Sequence, residues 1–156
     1  MTSEEEKHKL SALVSDGLII LRSVTSRLEA AGIPYMVTGS MATNFYSTPQ
    51  MTRDIDLVIE LRERDVESVV ALFQDEYYVD RDMVHHAVRT RSMFNMIHHA
   101  LVVKVDCVAR KDREYRRKEF SRRRTVMIDG ASVAIVAPKD LILSKLEWAK
   151  ESHREL

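Results

Sequence analysis

Two aspartates separated by one residue, Asp54 and Asp56, follow a Gly39-Ser40 pair with thirteen residues between. A third aspartate, Asp106, lies in the strand-like run Lys104-Val-Asp-Cys-Val108. Successive side chains of a β-strand point to opposite faces, so Asp54 and Asp56 share one face while Ile55 and Leu57 take the other. Two carboxylates on one face repel each other unless a cation lies between them. A third, brought alongside by a neighbouring strand, would complete an oxygen cage suited to Mg²⁺. Asp54, Asp56 and Asp106 are therefore the candidate catalytic and metal-ligating residues, and the chemistry they propose is metal-dependent phosphoryl or nucleotidyl transfer. Thr38-Gly39-Ser40 reads as a strand running into a glycine turn and a helix, whose first N–H groups suit phosphate oxygens. Gly39 lets a ligand approach the backbone, and the Ser40 hydroxyl adds a donor. Each signal has a plain alternative, a simple turn or a solvated edge strand. The apolar residues at 55 and 57–59 argue against an exposed strand, and Asp106 repeats the anomaly of an acid in an apolar run.

Elements able to position these residues are legible around them. Residues 3–31 read as a long helix, with Ser3 and Glu6 as a capping pair and Leu10, Leu13, Val14, Leu21, Val24 and Leu28 on one face. Gly32 and Pro34 end it. A strand over 35–38, a short helix closing near Pro49 and a strand over 54–61 follow. Residues 62–74 read as a helix buried through Val66, Val69, Val70 and Phe73, 77–80 as a short strand, and 81–91 as a helix. Residues 94–97 and 101–108 suit a hairpin, and 111–121 a charged helix. Strands over 123–128 and 131–136 flank the turn pair Asp129-Gly130, and Pro138 opens a final helix carrying Leu141, Ile142, Leu146 and Trp148. Hairpins mixed with helices predict an α+β fold, one mixed sheet with helices packed against it.

The 156 residues suffice for one domain, 1–156. Lys and Arg number 24, as do Asp and Glu, so the chain as a whole is not a magnet for nucleic acid. A lone cysteine, Cys107, and an acidic, polar N-terminus lacking signal-peptide character lead us to expect a reducing, cytoplasmic setting. No apolar run reaches the roughly 18 residues of a membrane helix, so no membrane partner is expected.

The string TGSMATNFYSTPQMTRDIDLVIE resembles the signature of the nucleotidyltransferase superfamily, with a spacer at the long end of the family's range. KVDCV is similar to its third-carboxylate strand, and VAIVAPKDLILSKLEWAKES to the closing strand and helix of minimal bacterial nucleotidyltransferases, in the style of abortive-infection toxin components. The resemblance implies that Gly39 and Ser40 hold the phosphates of a nucleoside triphosphate such as ATP. It further implies that Asp54 and Asp56 ligate two Mg²⁺ ions, and that Asp106 ligates one of them and helps deprotonate an acceptor hydroxyl. Lys145 matches a phosphate-contacting lysine of those relatives; from the residues alone it serves equally as a lysine whose stem covers apolar surface. A hydroxyl on a protein side chain or an RNA end is the implied acceptor, and an antitoxin-like protein an implied partner. The relatives carry a further aspartate motif after the lysine helix, whereas this sequence stops at Ser-His-Arg-Glu-Leu156, through truncation or loss of a last helix. A non-catalytic nucleotide- or partner-binding module of the same fold, and a metal-dependent phosphohydrolase, are the competing expectations.

Other features have bland explanations. Residues 110–124 hold nine basic and three acidic residues, which we read first as an ion-paired, solvated helix and second as a nucleic-acid patch. Lys104 suits a salt bridge with Asp106. The pairs His85-His86 and His98-His99 lack the spacing of a zinc site.

Overall fold

The computed structural model describes residues 3–47 and 54–154. Its elements run α1 (Ser3–Ala30), β1 (Tyr35–Thr38), α2 (Gly39–Tyr46), β2 (Asp54–Ile59), a 3₁₀ turn (Glu63–Asp65), α3 (Val66–Phe73), β3 (Tyr77–Tyr78), α4 (Arg81–Thr90), β4 (Met93–His98), β5 (Lys104–Ala109), α5 (Glu114–Ser121), β6 (Arg124–Ile128), β7 (Ala131–Ile135) and α6 (Pro138–Arg154). The strands form one mixed sheet in the order β3-β4-β5-β2-β1-β7-β6. Within it β2–β5 and β1–β7 are parallel, and the remaining neighbours are antiparallel. The α+β expectation holds.

Alternation decides how β2 and β5 sit. Ile55, Leu57 and Ile59 of β2, and Val105, Cys107 and Ala109 of β5, are all buried. Their neighbours Asp54, Asp56, Val58, Lys104, Asp106 and Val108 are exposed or half-buried on the opposite face. The buried face shares one core with Ile20, Leu21, Val24 and Leu28 of α1, Val66, Val69, Val70 and Phe73 of α3, and Val84 and Ala87 of α4. Each fully buried side chain of this size contributes about 1.5–3 kcal/mol, enough in sum to leave the other face free for polar work. Arg27 ties α1 to the far side of the sheet, donating to the Leu72 carbonyl at 2.8 Å and the Glu76 carboxylate at 2.6 Å beneath the Tyr77 ring.

Several boundaries differ from expectation. The strand expected from residue 101 begins at Lys104, because Val102 adopts φ +53° and His98 Nδ1 accepts the Leu101 N–H at 3.0 Å. That turn occupies His98, whose ring also meets Tyr77 edge-on at 5.0 Å. Asp129 and Gly130 at φ 50° and 78° form the expected tight turn between β6 and β7. α2, expected to close near Pro49, ends at Tyr46, where the Ser47 N–H donates to the Thr43 carbonyl at 2.9 Å. The Ser3–Glu6 cap, the α1 side chains Leu10, Leu13 and Val14 and the last residues to Leu156 lie outside what is described.

Candidate active site

The register of four strands assembles the site. Thr38 on β1 pairs with Asp56 on β2, Asp56 with Asp106 on β5, and Asp106 with Asn95 on β4. These four side chains form a row across the half-exposed face. Asp54 and Lys104 pair with each other one step along, on the same face. The three aspartates picked out by spacing therefore share one surface of the sheet. Asn95 was not foreseen; the signal for it is a polar residue alternating with apolar ones in Met93–His98, the same anomaly that singled out Asp106.

Asp56 is the most constrained of the three carboxylates. Burial, followed by the charges of Asp106 and Asp54, pushes its pKa above the ordinary carboxylate range; Lys104 and the Ser40 backbone N–H oppose this. Gly39 makes the arrangement possible. It opens α2 at φ +63°, and a Cβ built on it would lie 2.1 Å from Asp56 Oδ2. No other residue type offers both the left-handed backbone and the absent side chain. The Ser40 side chain is exposed beside this turn. Asp106 places one oxygen, Oδ2, 3.4 Å from Lys104 Nζ. Its other oxygen, Oδ1, is buried with no hydrogen-bond partner, an exception in folded proteins.

An orphaned carboxylate oxygen, a raised neighbouring acid and an all-oxygen donor set suit a hard divalent cation. Among the described residues, no group of three ligating side chains is drawn together closely enough to enclose one as it stands. The residues present fit Mg²⁺ in chemical type and in shared face.

Beside Gly39 the sheet face, α5 and α6 enclose a cavity of about 220 Å³. Lys145 lines it together with Gly39, so the candidate phosphate-contacting lysine reaches the same cleft as the glycine turn. It is exposed and in no ion pair among the described residues. The polar floor is Glu119, whose carboxylate accepts from Arg116 Nη1 at 3.0 Å and from Ser144 Oγ at 2.7 Å, with Arg116 Nη2 also on Glu147 at 3.2 Å. Sequence reasoning missed this network, which joins Arg116 and Glu119 of α5 to residues of α6 25 or more positions away.

α6 is pinned above the cleft by a second lock. Asp140 is 2% exposed, and Arg122 grips it through two hydrogen bonds, of 3.0 and 2.7 Å. The Arg122 hydrogen bond holds the Asp140 carboxyl below its ordinary pKa. The folded chain thus releases this proton more readily than the unfolded one. The stabilisation is complete above the ordinary carboxylate range and is lost as pH falls through the depressed value. Asp140→Asn is expected to lower the urea midpoint at neutral pH without changing the slope of the transition, and to remove part of the acid sensitivity. Urea unfolding at pH 7 and pH 3 checks this.

The basic segment 110–124 is largely ion-paired. Arg110 pairs with Glu60, Arg117 with Asp112, Lys118 with Glu114, and Arg122 with Asp140. Its charge is largely spent within the fold.

A family model described as aminoglycoside-2''-adenylyltransferase matches residues 20–144. The chain belongs to that family. The matched stretch of this adenylyltransferase-family chain contains the glycine turn and all three aspartates, and ends just before Lys145. No curated protein sequence matches it. Solved structures share its fold at low identity. One is a Thermotoga maritima protein provisionally assigned as a nucleotidyltransferase, 17% identical, with TM-score 0.65 over 90% of this chain and 89% of that one. Another is an antigenic nucleotidyltransferase-like protein from Paracoccidioides brasiliensis, 16% identical, with TM-score 0.55 over 82% of this chain and 63% of that one. A third is the lincosamide antibiotic adenylyltransferase LnuA with lincomycin bound, 11% identical, with TM-score 0.53 over 77% of this chain and 80% of that one. The fold is that of the nucleotidyltransferases, and no helix among the described residues is long and apolar enough to cross a membrane.

Proposed function

We propose that the protein transfers a nucleoside monophosphate, with ATP the first donor to test, onto an acceptor hydroxyl and releases pyrophosphate. The observation that carries this reading is the strand register that sets Asp56 beside Asp106, with Asp54 on the same face and Gly39 against the Asp56 carboxylate. Asp54, Asp56 and Asp106 would hold two Mg²⁺ ions, which when bound supply charge stabilisation to the attacking and leaving oxygens. The chain's own residues do the rest. Gly39 offers its backbone N–H and Ser40 its hydroxyl to the β- and γ-phosphates, while the Ser40 backbone N–H stays on the Asp56 carboxylate. Lys145 adds an unpaired ammonium at the same cleft. Asp106 helps to take the acceptor's proton. The bond formed joins the acceptor oxygen to the α-phosphorus, and the bond broken releases pyrophosphate.

The family name supports a small hydroxylated antibiotic as the first acceptor class to try, followed by a protein side chain and an RNA end. An antitoxin-like partner is a more distant part of the same proposal. The test incubates the protein with Mg²⁺, α-labelled ATP and each acceptor, beside the Asp54→Ala/Asp56→Ala variant. Label is expected on one acceptor with the native chain and on none with the variant. Binding of ATP without transfer would favour a nucleotide-binding module, and release of inorganic phosphate alone a phosphohydrolase.

A further inference from the structure

We propose that the cavity between the sheet and α6 receives the donor's nucleobase, stacked on Trp148. This inference rests on the nucleotidyl-transfer reading and adds where the base lies and what holds it.

Continuity is the first support. Gly39 is a wall of the cavity, and Val58 is another, two residues from Asp56 on the same strand and face. One end of the cavity therefore reaches the turn proposed to hold phosphates, which lies against the Asp56 carboxylate. Size is the second. A volume of about 220 Å³ falls below the ~300–1,000 Å³ of pockets that enclose a whole drug-sized ligand. A flat ring enters it, and a triphosphate stays outside, along Gly39.

The lining separates the two ends of a nucleotide. Val58, Val136 and Leu141 give apolar walls, and Trp148 completes them. That indole is 71% exposed, the most exposed of the large apolar side chains among the described residues. An uncovered aromatic face at the lip of an apolar cavity is a stacking platform for any base. The floor carries no free charge, since Arg116 is held by Glu119 and Glu147. A neutral ring meets no repulsion there. Lys145, unpaired at the rim, lies at the phosphate end.

Trp148 is the chain's single tryptophan, so its fluorescence reports on this site alone. ATP titrated in the presence of Mg²⁺ is expected to quench it, and inorganic tripolyphosphate at the same concentrations to leave it unchanged. By equilibrium dialysis with labelled ATP, Trp148→Ala is expected to weaken binding on the order of tenfold, with Trp148→Phe restoring most of it. The side chain is exposed, and an unchanged thermal midpoint verifies that the fold is intact. ATP that binds with no quench and no loss in Trp148→Ala would overturn the base pocket while leaving the transfer reading standing. Quenching by an acceptor alone, with none by ATP, would assign the cavity to the acceptor and also overturn it. No binding of ATP, GTP, CTP or UTP would overturn both.

Discussion

Asp56→Asn is expected to abolish nucleotidyl transfer and, at the same time, to make the metal-free protein more stable. The amide keeps the size of the carboxyl but removes a ligand charge. Loss of a metal's charge stabilisation is worth several kcal/mol at the transition state, so a fall of about 10³-fold or more is expected. The stabilisation follows from the environment. The Asp56 carboxyl is pushed above its ordinary range by burial first, then by Asp106 and Asp54. The folded chain thus retains a proton that the unfolded chain has already lost, and stability falls as pH rises through this window. The cost is absent below the ordinary carboxylate range and complete above the raised value. Thermal unfolding in EDTA across pH 4–8 is expected to show this decline in the native protein and a flatter profile in Asp56→Asn. At pH 7 the variant should melt a few degrees higher, since ~1 kcal/mol corresponds to ~2–4 °C at this chain length. Added Mg²⁺ should raise the midpoint of the native protein and have little effect on the variant. A variant that melts lower than the native chain at pH 7 would sink the view of a strained acid cluster.

Gly39→Ala is expected to be far more damaging than the same change at Gly32 or Gly130, where an added Cβ meets nothing within 4 Å. The left-handed backbone at φ +63° costs an alanine roughly 1–3 kcal/mol. The added Cβ would also stand 2.1 Å from Asp56 Oδ2 and 2.8 Å from Asp56 Cβ, so either the turn or β2 must move. A total loss of about 3–5 kcal/mol is expected, with ATP binding lost in whatever remains folded. Urea unfolding gives the first quantity and equilibrium dialysis the second. Repeating the change in an Asp56→Gly background separates the causes. The collision disappears there and the backbone strain remains, so the cost of Gly39→Ala should fall to the strain alone. An equal cost in both backgrounds would place the damage elsewhere.

The two periodicities made most of the fold legible. Alternation in Asp54–Ile59 and Lys104–Ala109 marked which residues were interior, and 3.6-residue spacing did the same for Val66, Val69, Val70 and Phe73. Turn chemistry placed the β6–β7 hairpin, because Asp129-Gly130 favours positive φ at both positions. Local pattern does not carry register. That β5 lies parallel to β2 and sets Asp106 against Asp56, rather than a residue earlier or later, is decided by packing of elements separated by more than forty residues. The family resemblance supplied the expectation that these carboxylates belong together. Spacing also says little about which apolar residues of a helix remain uncovered. Leu141 is buried, yet Ile142, Leu146 and Trp148, read from the same helix, are more than half exposed. The cavity floor was hidden for a related reason: among the nine basic residues of 110–124, nothing local marks Arg116 as the one that reaches Ser144 and Glu147 of α6.

Lys104 has a consequence for how the protein meets its metal. Its ammonium stands 3.4 Å from Asp106, so the chain carries a tethered monovalent cation within its own acidic row. It offsets part of the repulsion among the carboxylates before any divalent ion binds. In the proposed chemistry Asp54, Asp56 and Asp106 would hold a divalent ion beside that ammonium, so its binding would compete with the Lys104 charge.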